Sequence, residues 1–295
     1  MEYILHLLIL ICIYTMLAQS LNLSAGYGGL ISLAQAGFYG VGAYVAAVLS
    51  IHFHFSFLLI LFIAILINAF WAIIVASISL RTIDDYFIIC TLGIQVVVFS
   101  LMNNWVQMTN GPLGIANIPA LNIGGQFFDN RISFSCLSLF FMIIVYILIK
   151  EIVKTSFGYT LQSLSEDEIY TSSLGKNVYL SKLIAFTLSG IIATIPGVLY
   201  AYYISYIDPS SFTVNESIFI LSITIIGGLK NLKGAFFAAC FLILLPELLS
   251  FIGFPSSISA NIRQIIYGIA LILITAKQNV PFKKSKKKIN KIKST

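Results

Sequence analysis

The chain has 295 residues, of which 59% are hydrophobic and only 9% are charged, and its mean hydropathy is +0.97. Soluble domains carry about 25% charged residues, so the composition excludes a soluble globular protein. The formal net charge of +6 arises from seven lysines between 283 and 293, and the rest of the chain is nearly neutral. This distribution argues against nucleic-acid binding and indicates a basic tail attracted to anionic lipid headgroups.

Several apolar segments have, or nearly have, the ~20 residues that a helix needs to cross a bilayer. They occupy 3–21, 30–51, 57–80, 86–102, 132–149, 183–206, 217–229, 234–252 and 263–276. No positive charge precedes the first segment, which favours a retained span over a cleaved secretory signal. The sequence therefore predicts an all-α polytopic membrane protein with about nine transmembrane or partly spanning helices, in a range of 8–10.

The second segment is rich in small residues. Residues 28–48 read GGLISLAQAGFYGVGAYVAAV and hold five glycines. Small residues at Ala36 and Gly40, and again at Gly42 and Ala46, let helix backbones approach closely in lipid. A helix of this kind can also line a transport path. We therefore assign three glycines either to a translocation path or to close helix packing: Gly37, Gly40 and Gly42.

The residues just before this segment favour a break in the helix. They read Gly26-Tyr27-Gly28-Gly29, and discontinuous helices at membrane depth are typical of transport sites. On these features alone, a self-sufficient channel or secondary carrier remains an alternative to a subunit of a larger transporter.

Groups able to perform catalysis or energy coupling are scarce. The long segments 57–80, 132–149 and 183–206 contain no acid, base or histidine, whereas ion-coupled carriers usually keep such residues at mid-membrane. The acidic residues that could serve this role are Glu247, after Pro246 in segment 234–252, and Glu216, near the start of segment 217–229. The chain also lacks a Walker A motif, and its cysteines stand too far apart for a metal site. We expect no catalytic residue, no metal and no cofactor, with the energy supplied by another subunit.

The connection 150–182 is long for a simple loop and contains a helix signal of its own. Its stretch SEDEIYTSSLG predicts a helix of about nine residues within 165–175. An S-x-x-E capping box, acidic side chains at the positive end of the helix dipole and a closing glycine support it. These features come from Ser165, Glu166, Asp167, Glu168 and Gly175. So short a helix is unstable alone, which predicts that it docks on a partner; a surface helix on the protein's own membrane face is the alternative.

Basic residues set the predicted orientation, because cytoplasmic loops carry an excess of Lys and Arg. These residues concentrate in alternate connections, at 81–85, 150–182, 230–233 and after 276. The other connections hold only Arg131. The sequence therefore predicts an N-terminus outside and a C-terminus in the cytoplasm. We expect a single transmembrane domain over 1–278, followed by a basic cytoplasmic tail at 279–295.

Five motifs occur in a recognisable order. They read LNLSAGYGGLISLAQAGFYGVGAY, TNGPLGIANIP, LSEDEIYTSSLGKNVYLSKLIAFTLSG, GVLYAYYISYIDPSSF and IIGGLKNLKGAFFAA. In this order they resemble the permeases of branched-chain amino acid ABC importers. The resemblance runs from about residue 20 to residue 275, nearly the whole chain.

The resemblance implies a membrane-spanning subunit of the bacterial inner membrane, with no catalytic activity of its own. Its expected partners are a second related permease, two ABC ATPase subunits, a periplasmic substrate-binding protein and the lipid bilayer, with no nucleic acid. Residues 166–175 correspond to the family's coupling helix, in which Tyr170 and Thr171 replace small alanines. The expected substrates are branched-chain amino acids; the family's other substrates, namely urea, short amides and other amino acids, are the alternative.

Overall fold

The computed structural model of the chain describes residues 2–82, 85–123, 126–127, 130–251 and 268. By its internal contacts the chain divides into two compact units, residues 1–240 and 241–295. The predicted tail at 279–295 and, apart from residue 268, the predicted segment 263–276 lie outside the described residues. A single transmembrane domain over 1–278 stays a prediction.

Helices account for most of the described chain. The α-helices are α1 (Glu2–Leu21), α2 (Gln35–His52), α3 (Phe57–Ser79), α4 (Asp85–Asn104), α5 (Val106–Thr109), α6 (Arg131–Lys154), α7 (Ser156–Glu166), α8 (Glu168–Ser173), α9 (Val178–Ile204), α10 (Val214–Gly227) and α11 (Leu232–Phe251). Two antiparallel pairs of very short strands join β1 (Ile115–Ala116) to β4 (Tyr206–Ile207) and β2 (Asn122–Ile123) to β3 (Gln126–Phe127). In the first pair Ile115 lies opposite Ile207.

Long apolar helices confirm the prediction of an all-α polytopic membrane protein. Among the described residues, the stretches long and apolar enough to cross a membrane are Glu2–Tyr27, Phe57–Ser79, Tyr86–Asn104, Arg131–Lys154 and Val178–Ile204. Large apolar side chains such as Phe62, Leu66 and Phe70 point outward from α3. A helix at the surface of a soluble protein exposes polar side chains instead, so this arrangement suits contact with lipid. The count of about nine spans and the orientation stay predictions.

The most enclosed helix is α2, which packs between α3 and α9. The α3 residue Asn68 lies fully buried and joins all three helices. Its amide Nδ2 donates to the Phe38 carbonyl oxygen at 2.8 Å and to Thr194 Oγ1 at 2.7 Å. Gly197 of α9 allows closer approach, because a Cβ there would stand 2.3 Å from the backbone oxygen of Tyr39. Small residues and one buried amide therefore hold these helices together, as expected where water does not drive helix association.

The chain between α1 and α2 is broken, as the glycines at 26–29 predict. The helix widens to a π-helix over Asn22–Tyr27, and residues 28–34 are not helical. Gly29 has a φ of +70°, a left-handed conformation that glycine adopts without steric cost. The predicted segment 30–51 was therefore placed too early, since its helix begins only at Gln35.

Backbone groups freed by this break find partners inside the protein. The Leu33 N–H donates to Thr91 Oγ1 at 3.1 Å, and the Ala36 N–H donates to Ser217 Oγ at 3.0 Å. Leu30 N–H donates to the carbonyl oxygen of Ser24 at 2.8 Å. Non-helical backbone is tolerated at membrane depth only where protein or water satisfies it, and here side chains of α4 and α10 do so.

Candidate translocation and coupling sites

A second break in the helices precedes α10 and lies next to the break before α2. After α9 and β4 the chain forms a 3₁₀ turn at Pro209–Phe212, and α10 then starts at Val214. Phe212 is fully buried, and its carbonyl oxygen accepts a hydrogen bond from Gln95 Nε2 at 2.7 Å. Gln95 lies in the middle of α4, so the turn penetrates to the middle of the helices and α10 begins there. Sequence reasoning placed 207–216 in an outer connection and missed this feature.

The three glycines of α2 that the sequence singles out all lie at close contacts. A Cβ on Gly37 would lie 2.8 Å from Gln95 Oε1, and one on Gly42 would lie 2.9 Å from the Thr194 backbone oxygen. At Gly40 the same atom would come within 2.9 Å of both Met102 Cε and Phe212 Cγ. Their role in close packing therefore has a geometric basis, while their place beside a translocation path stays a prediction.

An intramembrane carboxylate lies at the start of α10. Glu216 accepts a hydrogen bond from the hydroxyl of Tyr14, which lies halfway along the stretch Glu2–Tyr27. The Tyr14 and Phe219 rings meet edge to face with centroids 5.1 Å apart. Acidic side chains are favourable at the N-terminus of a helix, where the helix dipole is positive. The sequence marks Glu216 as an ionisable residue next to the predicted segment 217–229, and the structure places it beside the middle of the stretch Glu2–Tyr27.

The connection 150–182 folds as two helices rather than one. Ser165 lies in the last turn of α7, and its hydroxyl donates to the Gln162 carbonyl oxygen, so the predicted Ser165–Glu168 capping box is wrong. Asp167 caps α8 instead, its side chain accepting from the Tyr170 N–H at 2.9 Å. The predicted helix is correspondingly shorter, at six residues. Gly175 follows α8 with a φ of +76°, as a closing glycine requires.

The first of these helices, α7, is an amphipathic helix that the sequence reading missed. Leu161 and Leu164 are buried, three residues apart on one face. The Thr155 side chain caps the helix by accepting from the Gly158 N–H at 3.3 Å. Apolar residues spaced three or four apart after a threonine are the signal that could have identified it.

Two ion pairs tie this helix pair to the rest of the protein. Glu168 pairs with Lys182 of α9, and Glu166 Oε1 lies 3.6 Å from Lys230 Nζ in the link between α10 and α11. The Tyr27 hydroxyl in turn donates to the Lys230 carbonyl oxygen at 2.8 Å. A Cβ on Gly29 would lie 3.3 Å from the Cα of Ser165. The broken segment after α1, the link at 230 and the α7–α8 pair are therefore in direct contact.

Large apolar side chains in and directly after α8 are exposed. Ile169 is 82% exposed, Tyr170 60% and Leu174 59%, whereas Thr171 is buried. Sequence reasoning emphasised the carboxylates of this helix, but two of the three are engaged by lysines of the same chain. The large apolar residues on both sides of Thr171, namely Ile169, Tyr170 and Leu174, were the overlooked signal.

Metal-binding clusters are absent from the described part of the chain: no three His, Cys, Asp or Glu side chains converge there. The four cysteines are free thiols.

Comparison with known proteins gives a consistent result. Residues 3–275 match the family described as "Branched-chain amino acid transport system / permease component". The chain is 32% identical over 260 residues to a high-affinity branched-chain amino acid transport system permease protein LivM of Salmonella typhimurium, and equally to that of Escherichia coli. These alignments cover 80% of this chain but only 61% of the relatives' length. A probable branched-chain amino acid transport permease protein LivM of Methanocaldococcus jannaschii is 26% identical over 181 residues, covering 59% of this chain and 52% of that protein. No solved structure matches.

Proposed function

Because this chain belongs to the family of permease components of branched-chain amino acid transport systems, we propose that it is the membrane-spanning permease subunit of a bacterial ABC importer for these amino acids. It forms half of the translocation path in the inner membrane. A second, related permease supplies the other half, and a periplasmic binding protein delivers the substrate. The chain itself hydrolyses no ATP; two separate ATPase subunits do so.

The exposed apolar side of α8 is the observation that carries this proposal. Large apolar side chains facing water are unusual unless another protein covers them. A helix of six residues is unstable alone, and Asp167, Lys182 and the contact with α7 hold this one in place. The exposed side chains of Ile169 in α8 and of Leu174 directly after it fit a groove on an ATPase subunit. α8 lies in the connection 150–182, close to Lys182 and to the link 230–233. The lysines of these connections predict that this side of the protein faces the cytoplasm.

The broken segment supports a coupling role for α8. Movement of the α7–α8 pair reaches the chain after α1 through the contact between Ser165 of α7 and Gly29, and reaches the α10–α11 link through the ion pair of Glu166 with Lys230. Discontinuous helices are where transport proteins place their substrate paths. The chain before α2 and the link after α10 both contact the α7–α8 pair. A path lined by α2 and the start of α10 is thereby connected to the ATPase docking site at α8.

Uptake of radiolabelled leucine tests the proposal directly. We expect uptake to disappear in a strain that lacks this gene and other leucine transporters, and to return when the gene is restored with its partner subunits. Undiminished uptake without the gene would contradict the proposal. The ligand of the co-encoded binding protein distinguishes branched-chain amino acids from urea or amides. Flux through the purified chain reconstituted alone would favour a self-sufficient channel.

Exchanging the charges of Glu168 and Lys182 tests how α8 is held. Glu168→Lys places two lysines together, and we expect severalfold less ATPase to co-purify with the permease, since the loss of one pair and the new repulsion displace α8. Ion pairs on a protein surface contribute only about 0–1 kcal/mol to stability. The Lys182 side chain is only 19% exposed, which is less than in a typical surface pair. The double variant Glu168→Lys with Lys182→Glu should restore at least half of the bound ATPase. No recovery would mean that Glu168 contacts the ATPase itself.

A further inference from the structure

The carboxylate of Glu216 lies at a depth where charged groups are rare. Its partner Tyr14 is midway along a stretch of 26 residues that runs from Glu2 to Tyr27. The neighbouring Ser217 hydroxyl accepts from the Ala36 N–H, at the first turn of the interrupted helix α2. Both interruptions of the chain, before α2 and before α10, therefore meet beside Glu216.

Glu216 is partly exposed rather than enclosed. Asn215, next to it, is exposed, and Phe219 one turn later is half-buried. Ionisable residues at membrane depth face a protein interior or a water-filled cavity and avoid lipid. The face of α10 that carries Asn215 and Glu216 therefore borders a path or a partner subunit rather than the hydrocarbon.

Aromatic residues lie near this carboxylate. Tyr14, which donates a hydrogen bond to it, packs against the ring of Phe219. Tyr39 follows Ala36 by three residues in α2, and its ring meets that of Tyr200 with centroids 5.4 Å apart. The Tyr39 hydroxyl is buried and makes no hydrogen bond to any residue that the structure describes. A carboxylate that is held by a phenol beside aromatic residues can bind an organic ammonium group through a charge-assisted hydrogen bond.

We propose that Glu216 binds the α-ammonium group of the amino acid in transit, with Tyr14 as the residue that positions its carboxylate. This inference rests on the proposed importer function and refines its substrate class. The site selects a ligand that carries a primary ammonium group next to an apolar side chain. Neutral urea and amides lack that positive charge and form weaker bonds to a carboxylate.

Vesicles that contain the complete complex with its binding protein provide the test, because leucine uptake and ATP hydrolysis are measured together. We expect Glu216→Gln to lower the leucine moved per ATP hydrolysed by about ten-fold or more, the effect of losing one charge-assisted bond. ATP hydrolysis stimulated by the leucine-loaded binding protein should stay within about two-fold of wild type, since the ATPase subunits dock at α8 and not at Glu216. Tyr14→Phe should lower the same ratio less, and Glu216→Asp should retain most of it.

Glu2→Gln is the matched control, because it makes the same carboxylate-to-amide change at an exposed position of α1. It should leave the ratio unchanged. An unchanged ratio in Glu216→Gln would overturn the inference and leave the importer function intact. Uptake and hydrolysis that fall in step would assign Glu216 a structural role and also overturn it. A wild-type complex that moves urea and not leucine would refute both the function and the inference.

Discussion

Replacing Ile169 with Asp is expected to release the ATPase subunits and abolish ATP-driven leucine uptake. Ile169 is the most exposed large apolar residue of α8, and burying such a side chain in a partner groove contributes roughly 1.5–3 kcal/mol. Burying a carboxylate in the same groove also carries the free-energy cost of removing its hydrating water. A loss of about 3 kcal/mol weakens binding by a factor of roughly 10². Co-purification of the ATPases with the tagged permease measures this loss, and uptake in cells measures its effect.

Leu113→Asp is the matched control for this variant. Leu113 is as exposed as Ile169, but it lies in the connection after α5, at the end of the protein predicted to face outside. It should therefore keep its ATPases. Both variants should insert normally, since neither residue lies in a long apolar helix. If the ATPases remain bound to Ile169→Asp and transport continues, α8 is only a surface helix and the coupling assignment is wrong.

Gly40→Leu is expected to abolish transport while leaving the protein inserted in the membrane. The first side-chain atom already meets Met102 and Phe212 at 2.9 Å, so a leucine must displace the turn that precedes α10. Overpacking of this kind typically costs about 1–3 kcal/mol. The displaced turn also carries the start of α10 away from α2. Uptake assays together with thermal unfolding of the detergent-purified protein measure the two effects separately.

Gly93→Leu makes the same substitution in open space, because no atom lies within 4 Å of a Cβ built there. Its melting temperature should match that of wild type. Gly40→Ala should lie between the two variants, since Met102 can move its terminal methyl group more easily than Phe212 can move its ring. Normal transport by Gly40→Leu would show that this face of α2 neither packs tightly nor borders the path.

Local apolar character was enough to place most of the helices. The predicted segment 57–80 coincides with α3, Phe57–Ser79, because nearly every residue there is apolar and a helix is the way to satisfy its backbone in lipid. The same argument failed at 30–34, where apolar residues are not helical. Thr91, which is distant in sequence, accepts the hydrogen bond of the Leu33 N–H, and such a contact has no local signature.

The candidate sites were less predictable because they depend on contacts between distant residues. Ser165 was predicted to cap the helix, but Asp167 caps α8. Both residue types are typical N-caps, so the local sequence fits either choice. Burial of Leu161 and Leu164 settled the choice by keeping α7 helical through Ser165. Phe212 looked like part of an outer connection, and its full burial follows from contacts with distant residues, among them the glycine at 40 and the rings of Tyr39 and Tyr44.

Asn22 carries a consequence for how the protein is made. Its side-chain amide donates to the carbonyl oxygens of Gly228 and Asn231 at 3.2 and 3.5 Å, and its Oδ1 accepts from the Lys230 N–H at 2.8 Å. These partners lie more than 200 residues later in the chain. At ~5–20 residues per second, translation delivers them roughly 10–40 s after Asn22 leaves the ribosome.

During that interval the end of α1 holds a polar amide in or beside the bilayer without its final partners. Ser24 differs, because its hydroxyl can donate to the nearby Leu21 carbonyl oxygen before Ser189 of α9 is made. A nascent chain that stops before residue 228 keeps the Asn22 amide without these partners. The hydrogen bonds of Asn22 therefore form only after synthesis passes the α10–α11 link, so the end of α1 reaches its final packing late in translation.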